Sequence, residues 1–339
     1  MLYRAVRPLL FALDPEAAHS FSLDCLDALT RLGAAPLLGC PLPRIPVRVM
    51  GLDFPNPVGL AAGMDKDGAH IDGLAALGFG FLEVGAVTPR PQPGNPGPRV
   101  FRVPEAEALI NRLGFNSRGV DVFVENIRHA RRGSILGVNI GRNADTPNES
   151  ALEDYVACLR KVYPHASFVT ANVSSPNTKN LRELQRADEL DAFLAGLTAE
   201  RDRLAAQYGK RVPLAVKVSP DLDDAGIEAV ADRVDARGID AVIATNTTVS
   251  RQGVEHLPAA REQGGLSGAP LKARATAVVA KLRRALPSRI AIVGVGGIAS
   301  AADAREKLDA GASLVQLYTA LVYRGPRLVG EIVRGLAAR

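Results

Sequence analysis

One charge in this sequence sits where a charge is costly. Lys217 lies inside the apolar run Leu214-Ala215-Val216-Lys217-Val218, and a buried ammonium is strongly disfavoured unless an anion or acceptor faces it. The chain has 33 arginines and eight lysines, so each lysine is worth locating. Other apolar runs end in polar residues: Ala62-Gly63-Met64-Asp65-Lys66, Asn139, Asn172-Val173-Ser174-Ser175-Pro176-Asn177-Thr178, Thr245-Asn246-Thr247-Thr248, Gly294-Val295-Gly296-Gly297 and Tyr318-Thr319. A single Asn or Thr after a strand is commonly a turn or cap residue. A set in register at one end points to a ligand instead. Asparagine offers donor and acceptor in one group, and glycine lets backbone N–H groups approach a phosphate. Ser267-Gly268 adds to that phosphate signal. The histidines show no ligand spacing, so no metal site is expected.

These residues need a scaffold that brings strand ends together. Short apolar runs recur at Val58–Gly63, Phe81–Gly85, Ile135–Ile140, Phe168–Ser174, Pro213–Ser219, Asp240–Thr247, Ile290–Gly297 and Leu314–Ala320. Helical periodicity fills Glu153–Val162, Glu189–Tyr208, Ala225–Arg237 and Leu271–Leu286. Near-continuous apolar strands alternating with helices indicate a parallel sheet covered on both faces. Eight of them predict an α/β fold of the (β/α)8 TIM-barrel type, over an open doubly wound sheet, with chemistry at the C-terminal strand ends. Residues 1–40 stand apart. Leu2, Val6, Leu9 and Leu10 make one short apolar face. Asp14-Pro15 reads as a cap with proline at the first helical position, followed by Phe21, Cys25, Leu29 and Leu32. Pro36, Pro41, Pro43 and Pro46 punctuate a linker. The expected division is a two-helix extension, 1–40, and a catalytic barrel, 41–339.

Of the 339 residues, 47% are hydrophobic and 23% charged, which excludes general disorder and a coiled coil. No apolar run reaches the ~18–20 residues that span a bilayer, and Leu9 to Leu13 is too short for a secretory core. Cys25, Cys40 and Cys158 read as free thiols of a reducing compartment. The net charge of +5 serves solubility first. Neither a phosphate-loop lysine signature nor an early Gly-x-Gly-x-x-Gly is present.

Several motifs together carry a family resemblance: Gly59-Leu-Ala-Ala-Gly-Met-Asp-Lys66-Asp-Gly, Thr88-Pro-Arg-Pro-Gln-Pro-Gly94-Asn, Asn111-Arg-Leu-Gly-Phe115-Asn, Asn172-Val-Ser-Ser-Pro-Asn177-Thr, Ile243-Ala-Thr-Asn-Thr-Thr248, Gly264-Gly-Leu-Ser-Gly268 and Val293-Gly-Val-Gly-Gly-Ile298. Over nearly the whole chain the sequence resembles dihydroorotate dehydrogenases. It is similar to their class 2, quinone-linked branch, because Ser175 stands where class 1 has cysteine and residues 1–40 match the class 2 helical extension. The resemblance implies oxidation of (S)-dihydroorotate to orotate through FMN in pyrimidine (UMP) biosynthesis. A proton leaves C5 and a hydride leaves C6 for flavin N5.

On that basis Ser175 is the base, with Thr178 and a trapped water relaying the proton and Phe115 closing the path. Lys66, Asn111, Arg112, Leu113, Gly114, Phe115, Asn172, Asn177, Asn246 and Thr247 would hold the pyrimidine. Ala62, Gly63, Met64, Asp65, Lys66, Ala86, Asn139, Asn172, Lys217, Thr245, Gly268, Gly297, Tyr318 and Thr319 would hold FMN, with Lys217 facing N1–O2. Ala86 departs from the pattern, where a hydroxyl residue is common. His19, Arg102 and Tyr318 would line a quinone tunnel beneath the two N-terminal helices. These helices would lie in the cytoplasmic face of the cell membrane as a peripheral contact. A flavin barrel acting on RNA, like dihydrouridine synthase, would need a catalytic cysteine and an RNA-binding domain, and neither has an obvious counterpart. No nucleic-acid partner is expected. A non-catalytic phosphate-binding barrel is the remaining rival, and the polar strand ends argue against it.

Overall fold

A computed structural model describes residues 2–34, 42–131 and 133–338. Eight strands pair in parallel around a closed barrel: Val58–Leu60, Phe81–Val87, Ile135–Ile140, Phe168–Asn172, Leu214–Val218, Ala241–Ala244, Ala291–Val295 and Leu314–Leu317. The last strand pairs with the first, Val315 opposite Val58, so no edge is left open. This is the expected (β/α)8 barrel. Most strands stop short of the apolar run that signalled them, because the polar residues at the run ends turn into the βα loops.

The interior is graded from floor to mouth. Phe81 and Phe168 occupy the floor, their ring centroids 6.1 Å apart and edge to face. They fit because neighbouring strands supply small residues. A Cβ on Gly59 would lie 2.3 Å from the Phe81 ring, and one on Gly137 would lie 2.1 Å from Phe168. A hairpin of Val47–Val49 and Leu52–Phe54 closes this end, with Phe54 packed 5.2 Å from Phe81. Above the rings the lining turns polar, with Glu83, Asn139, Thr170 and Lys217 all buried.

The other end carries the loops and a small antiparallel sheet. Ala108–Asn111 is its central strand, flanked by Val100–Val103 and Gly265–Gly268. Neither the hairpin nor this sheet was expected from the sequence. Their strands have three or four residues, too few to establish a period of two.

Helices α1 (Leu2–Ala12) and α2 (Pro15–Arg31) precede the barrel. Asp14 caps α2 as its type predicts, Oδ1 accepting from Glu16 N at 2.9 Å and Ala17 N at 3.0 Å. Three of the four residues of the apolar stripe on α2 point away from the barrel. Phe21, Cys25 and Leu32 face outward, and Ala18 and Leu23 are the buried residues of the helix. Tyr3 donates to Val322 O at 2.6 Å, and Glu16 pairs with Arg99, tying both helices to the mouth end. Cys25 and Cys158 are free thiols. Cys40, Pro36, Pro41 and the boundary placed at 40 lie outside the described residues.

The floor packing is testable. Gly137→Ala drives a methyl into the Phe168 ring, and overpacking of this kind costs about 1–3 kcal/mol. Thermal unfolding should show a lowered Tm, and adding Phe168→Leu should recover most of it. An unchanged Tm for Gly137→Ala would refute this account of the floor.

Candidate functional site

The mouth opens into a cleft whose empty space, counted out into the open solvent, is about 1160 Å³. Its walls come from the ends of several strands and from the small sheet. Ala62, Gly63, Ala86, Asn172, Ser175, Asn177, Lys217, Thr245, Asn246, Thr247, Gly297, Tyr318 and Thr319 all line it. So do Lys66, Asn111, Leu113, Gly114, Phe115 and Gly268. Most of the residues singled out in the sequence therefore share one cavity.

The asparagines are linked to one another. Asn177 Nδ2 donates to Asn111 Oδ1 at 3.0 Å, joining the loop after the fourth barrel strand to the small sheet. On the other side Asn246 Nδ2 donates to Asn172 Oδ1 at 3.2 Å, and Asn172 Nδ2 donates to Asn139 Oδ1 at 3.0 Å. Asn139 Nδ2 then donates to Glu83 Oε1 at 2.6 Å. Asn139 is fully buried, next to Asn172 and behind the cavity wall.

Two lysines bring positive charge. Burial lowers the Lys217 pKa, and the Glu83 carboxylate acts in the opposite direction. Burial, then the neighbouring Arg99, brings Lys66 down to about 7. Lys66 also donates to Asn116 Oδ1. Both ammonium groups therefore favour an anion or an electron-rich ring in the cleft.

Ser175 is buried in the loop after the fourth strand, and its Oγ accepts the Asn177 N–H at 3.3 Å. Thr178 lies in the same loop but not in the cavity wall. Its Oγ1 is buried without a protein partner, so it performs no capping. Phe115, at φ 56°, packs its ring over Gly141 and faces the cleft.

At the seventh and eighth strand ends the backbone makes a cradle. Gly297 has φ +72°, and a Cβ there would lie 2.5 Å from Lys272 Cβ at the start of the helix Lys272–Ala285. Glycine is required there on both counts. Thr319 Oγ1 donates to Ser267 Oγ at 2.8 Å beside it. Barrels hold phosphate in this position. Thr247 Oγ1, Thr178 Oγ1 and Gln316 Oε1 are among the buried side-chain oxygens that have no protein partner. Unpaired buried polar atoms are costly, and Thr247 and Gln316 belong to the cavity wall.

Some expected residues lie elsewhere. Arg112 stacks on Phe101, 4.6 Å from its ring centroid, and pairs with Glu262 at 2.7 Å, outside the cavity wall. Met64 is part of the core. Asp65 accepts the N–H groups of Ala69 and His70 at 3.0 and 2.8 Å and shapes the loop that presents Lys66. The side chains of these three support the neighbouring loops. Arg102 donates to Phe11 O, Leu13 O and Leu10 O at the end of α1, stacked on Phe11. His19 is largely buried, and burial followed by Lys66 holds its pKa down. Tyr318 donates to Gly63 O at 3.4 Å.

Sequence reasoning missed Glu83, Gln316 and Arg182. Arg182 Nε donates to Ser174 O at 3.0 Å and Nη2 to Thr247 O at 2.9 Å, while Nη1 pairs with Asp221 at 2.8 Å. One guanidinium thus joins three catalytic-end loops. Nothing in its local sequence signals this.

Comparison with known proteins agrees with the geometry. The family model for dihydroorotate dehydrogenase matches residues 44–339. A Chromobacterium violaceum protein named dihydroorotate dehydrogenase (quinone) is 59% identical over 337 residues, covering 99% of this chain and 98% of its own. A Burkholderia multivorans protein of the same name is 60% identical over 336 residues, covering 99% and 97%. Among solved structures, ligand-free DHODH from Eimeria tenella superposes with a TM-score of 0.85 at 39% identity, over 95% of this chain and 94% of its own. The same organism's DHODH in complex with ferulenol gives 0.86 at 37%, over 95% and 90%. Sequence, fold and site converge: the chain belongs to the dihydroorotate dehydrogenase family.

Proposed function

We propose that this chain oxidises (S)-dihydroorotate to orotate with FMN and passes the electrons to a membrane quinone, serving pyrimidine biosynthesis. The observation that carries the reading is the single cleft in which Ser175, two lysines and a ring of asparagines converge. When bound, FMN supplies the acceptor for the substrate hydride. The residues fit that group: Gly268, Gly297 and Thr319 suit its phosphate, and Lys217 with Gln316 Oε1 offers charge and an acceptor for a polar ring edge. Thr245, Ala86, Ala62 and Gly63 complete that wall.

Asn111, Asn172, Asn177, Asn246 and Thr247 hold the pyrimidine through paired donors and acceptors, and Lys66 faces its carboxylate. Ser175 Oγ takes the C5 proton. An isolated serine hydroxyl ionises far above neutral pH, and the partnerless Thr178 hydroxyl supplies an exit for the proton through water. Phe115 shields that step from solvent.

The N-terminal helices are proposed as the membrane contact. Val6, Leu9, Leu13, Phe21 and Leu32 are five of the seven exposed large hydrophobic residues among those described. No described helix is long and apolar enough to cross a membrane, and an interfacial seat accounts for such a surface. His19 belongs to α2, Arg102 binds the end of α1 and Tyr318 lines the cleft, and these three would line the quinone path. Burial keeps His19 uncharged at neutral pH, which suits a hydrogen bond to a quinone carbonyl.

Three outcomes test this. Ser175→Ala should retain flavin and lose roughly 10²–10⁴-fold in the rate of flavin bleaching by dihydroorotate, the usual contribution of a general base. A near wild-type rate would remove Ser175 from that role. Lys66 is charged below its pKa of about 7, and a bound anion raises that pKa. Orotate affinity should therefore fall as pH rises above 7, by up to about tenfold per unit. Titrations from pH 6 to 9 should show the slope, and Lys66→Met should flatten it. Leu9→Glu with Phe21→Glu should weaken binding to anionic liposomes roughly tenfold or more, since each apolar side chain withdrawn from water contributes ~1.5–3 kcal/mol. Dihydroorotate-driven bleaching should be unchanged. Undiminished liposome binding would rule out this face as the contact.

A further inference from the structure

Glu83 lies on the second barrel strand, fully buried, one layer below the cleft. Its two oxygens accept from different amides, Oε1 from Asn139 Nδ2 at 2.6 Å and Oε2 from Gln316 Nε2. A carboxylate can only accept. Asn139 must therefore turn its NH2 toward Glu83, which leaves Oδ1 toward Asn172. Asn172 answers with Nδ2 at 3.0 Å, which leaves its Oδ1 toward Asn246 Nδ2 at 3.2 Å. The second N–H of Asn246 goes to Ser174 Oγ at 3.0 Å, and its Oδ1 accepts Thr247 N at 2.8 Å. Each amide in the chain Asn246, Asn172, Asn139 donates toward Glu83.

Primary amides have two orientations related by a half turn, and the network around them selects one. Asn172 and Asn246 line the cleft, whereas Glu83 does not. Outside these bonds Asn172 retains one N–H and Asn246 retains acceptor capacity on Oδ1. We propose that Glu83 is a positioning residue that sets the hydrogen-bonding polarity of the substrate wall. It fixes a donor at Asn172 and an acceptor at Asn246, complementary to the adjacent C=O and N–H of a cyclic imide or ureide. The proposal rests on the reading of this cleft as a pyrimidine site.

The test uses flavin-loaded full-length protein and the orotate dissociation constant, read from perturbation of the flavin spectrum. Wild-type protein that binds no orotate would overturn the pyrimidine reading itself. Given wild-type binding, Glu83→Gln keeps the volume and lets the amide chain run either way. It should weaken orotate about fivefold or more, because a charge-assisted bond no longer fixes the direction. Glu83→Gln combined with Gln316→Glu moves the carboxylate across the same contact. The amide introduced on the second strand then donates to the carboxylate on the eighth and presents its oxygen to Asn139, so affinity should return to within about twofold of wild type. Binding by Glu83→Gln within twofold of wild type would overturn the proposal. So would an exchange variant no tighter than Glu83→Gln, the pattern expected of a merely structural carboxylate. Should Glu83→Gln fail to fold, neutron diffraction on deuterated wild-type crystals decides: deuterium on the Asn139 atom facing Glu83 supports the proposal, and its absence there refutes it.

Discussion

A buried positive charge governs the design of this barrel. Lys217 is buried at the cleft wall, and an ammonium there is costly unless a negative charge offsets it. The Glu83 carboxylate acts on it from within the same polar layer, without direct contact, and Glu83 is itself buried and must be hydrogen-bonded. Asn139 and Gln316 meet that need from the third and eighth strands. The polar middle layer of the barrel is built around this carboxylate and its amide partners. It also dictates that the floor beneath be dry, since the attraction between the charges weakens wherever water enters. The phenylalanine layer and the capping hairpin supply that dryness.

The loops at the mouth are held by arginine, which suits a chain that uses arginine for most of its positive charge. Arg182 binds backbone oxygens from two loops and a carboxylate from a third. Arg142 does the same between the loops after the third and fourth strands, donating to Thr146 O at 2.6 Å and to Lys179 O. Planar guanidinium groups present several donors in fixed directions, so one side chain sets the relative positions of segments far apart in sequence. The site is assembled by such cross-braces as much as by the strands.

The eight barrel strands were legible because strands buried on both faces leave continuous apolar runs. The cleft residues were legible because polar groups at the same end of many strands depart from that pattern. The hairpin at Val47–Phe54 and the small roof sheet were not, since three- or four-residue strands carry no period. The α2 stripe of Phe21, Cys25 and Leu32 was legible as apolar, and it points outward. Helical periodicity reveals that a face is apolar and not what covers it. Glu83 could have been found: the desolvation argument applied to Lys217 applies equally to a glutamate inside Phe81-Leu-Glu-Val-Gly85. Arg182 could not, because its partners, two backbone oxygens and the Asp221 carboxylate, lie on three different loops.

The hairpin that stoppers the barrel floor has a consequence for traffic. With Phe54, Phe81 and Phe168 stacked across that end, the barrel is a vessel with one rim. Whatever enters and whatever leaves must cross the loops and helices at that rim, and no through-flow is available. The braces that shape the mouth therefore also shape the one route by which the contents are exchanged.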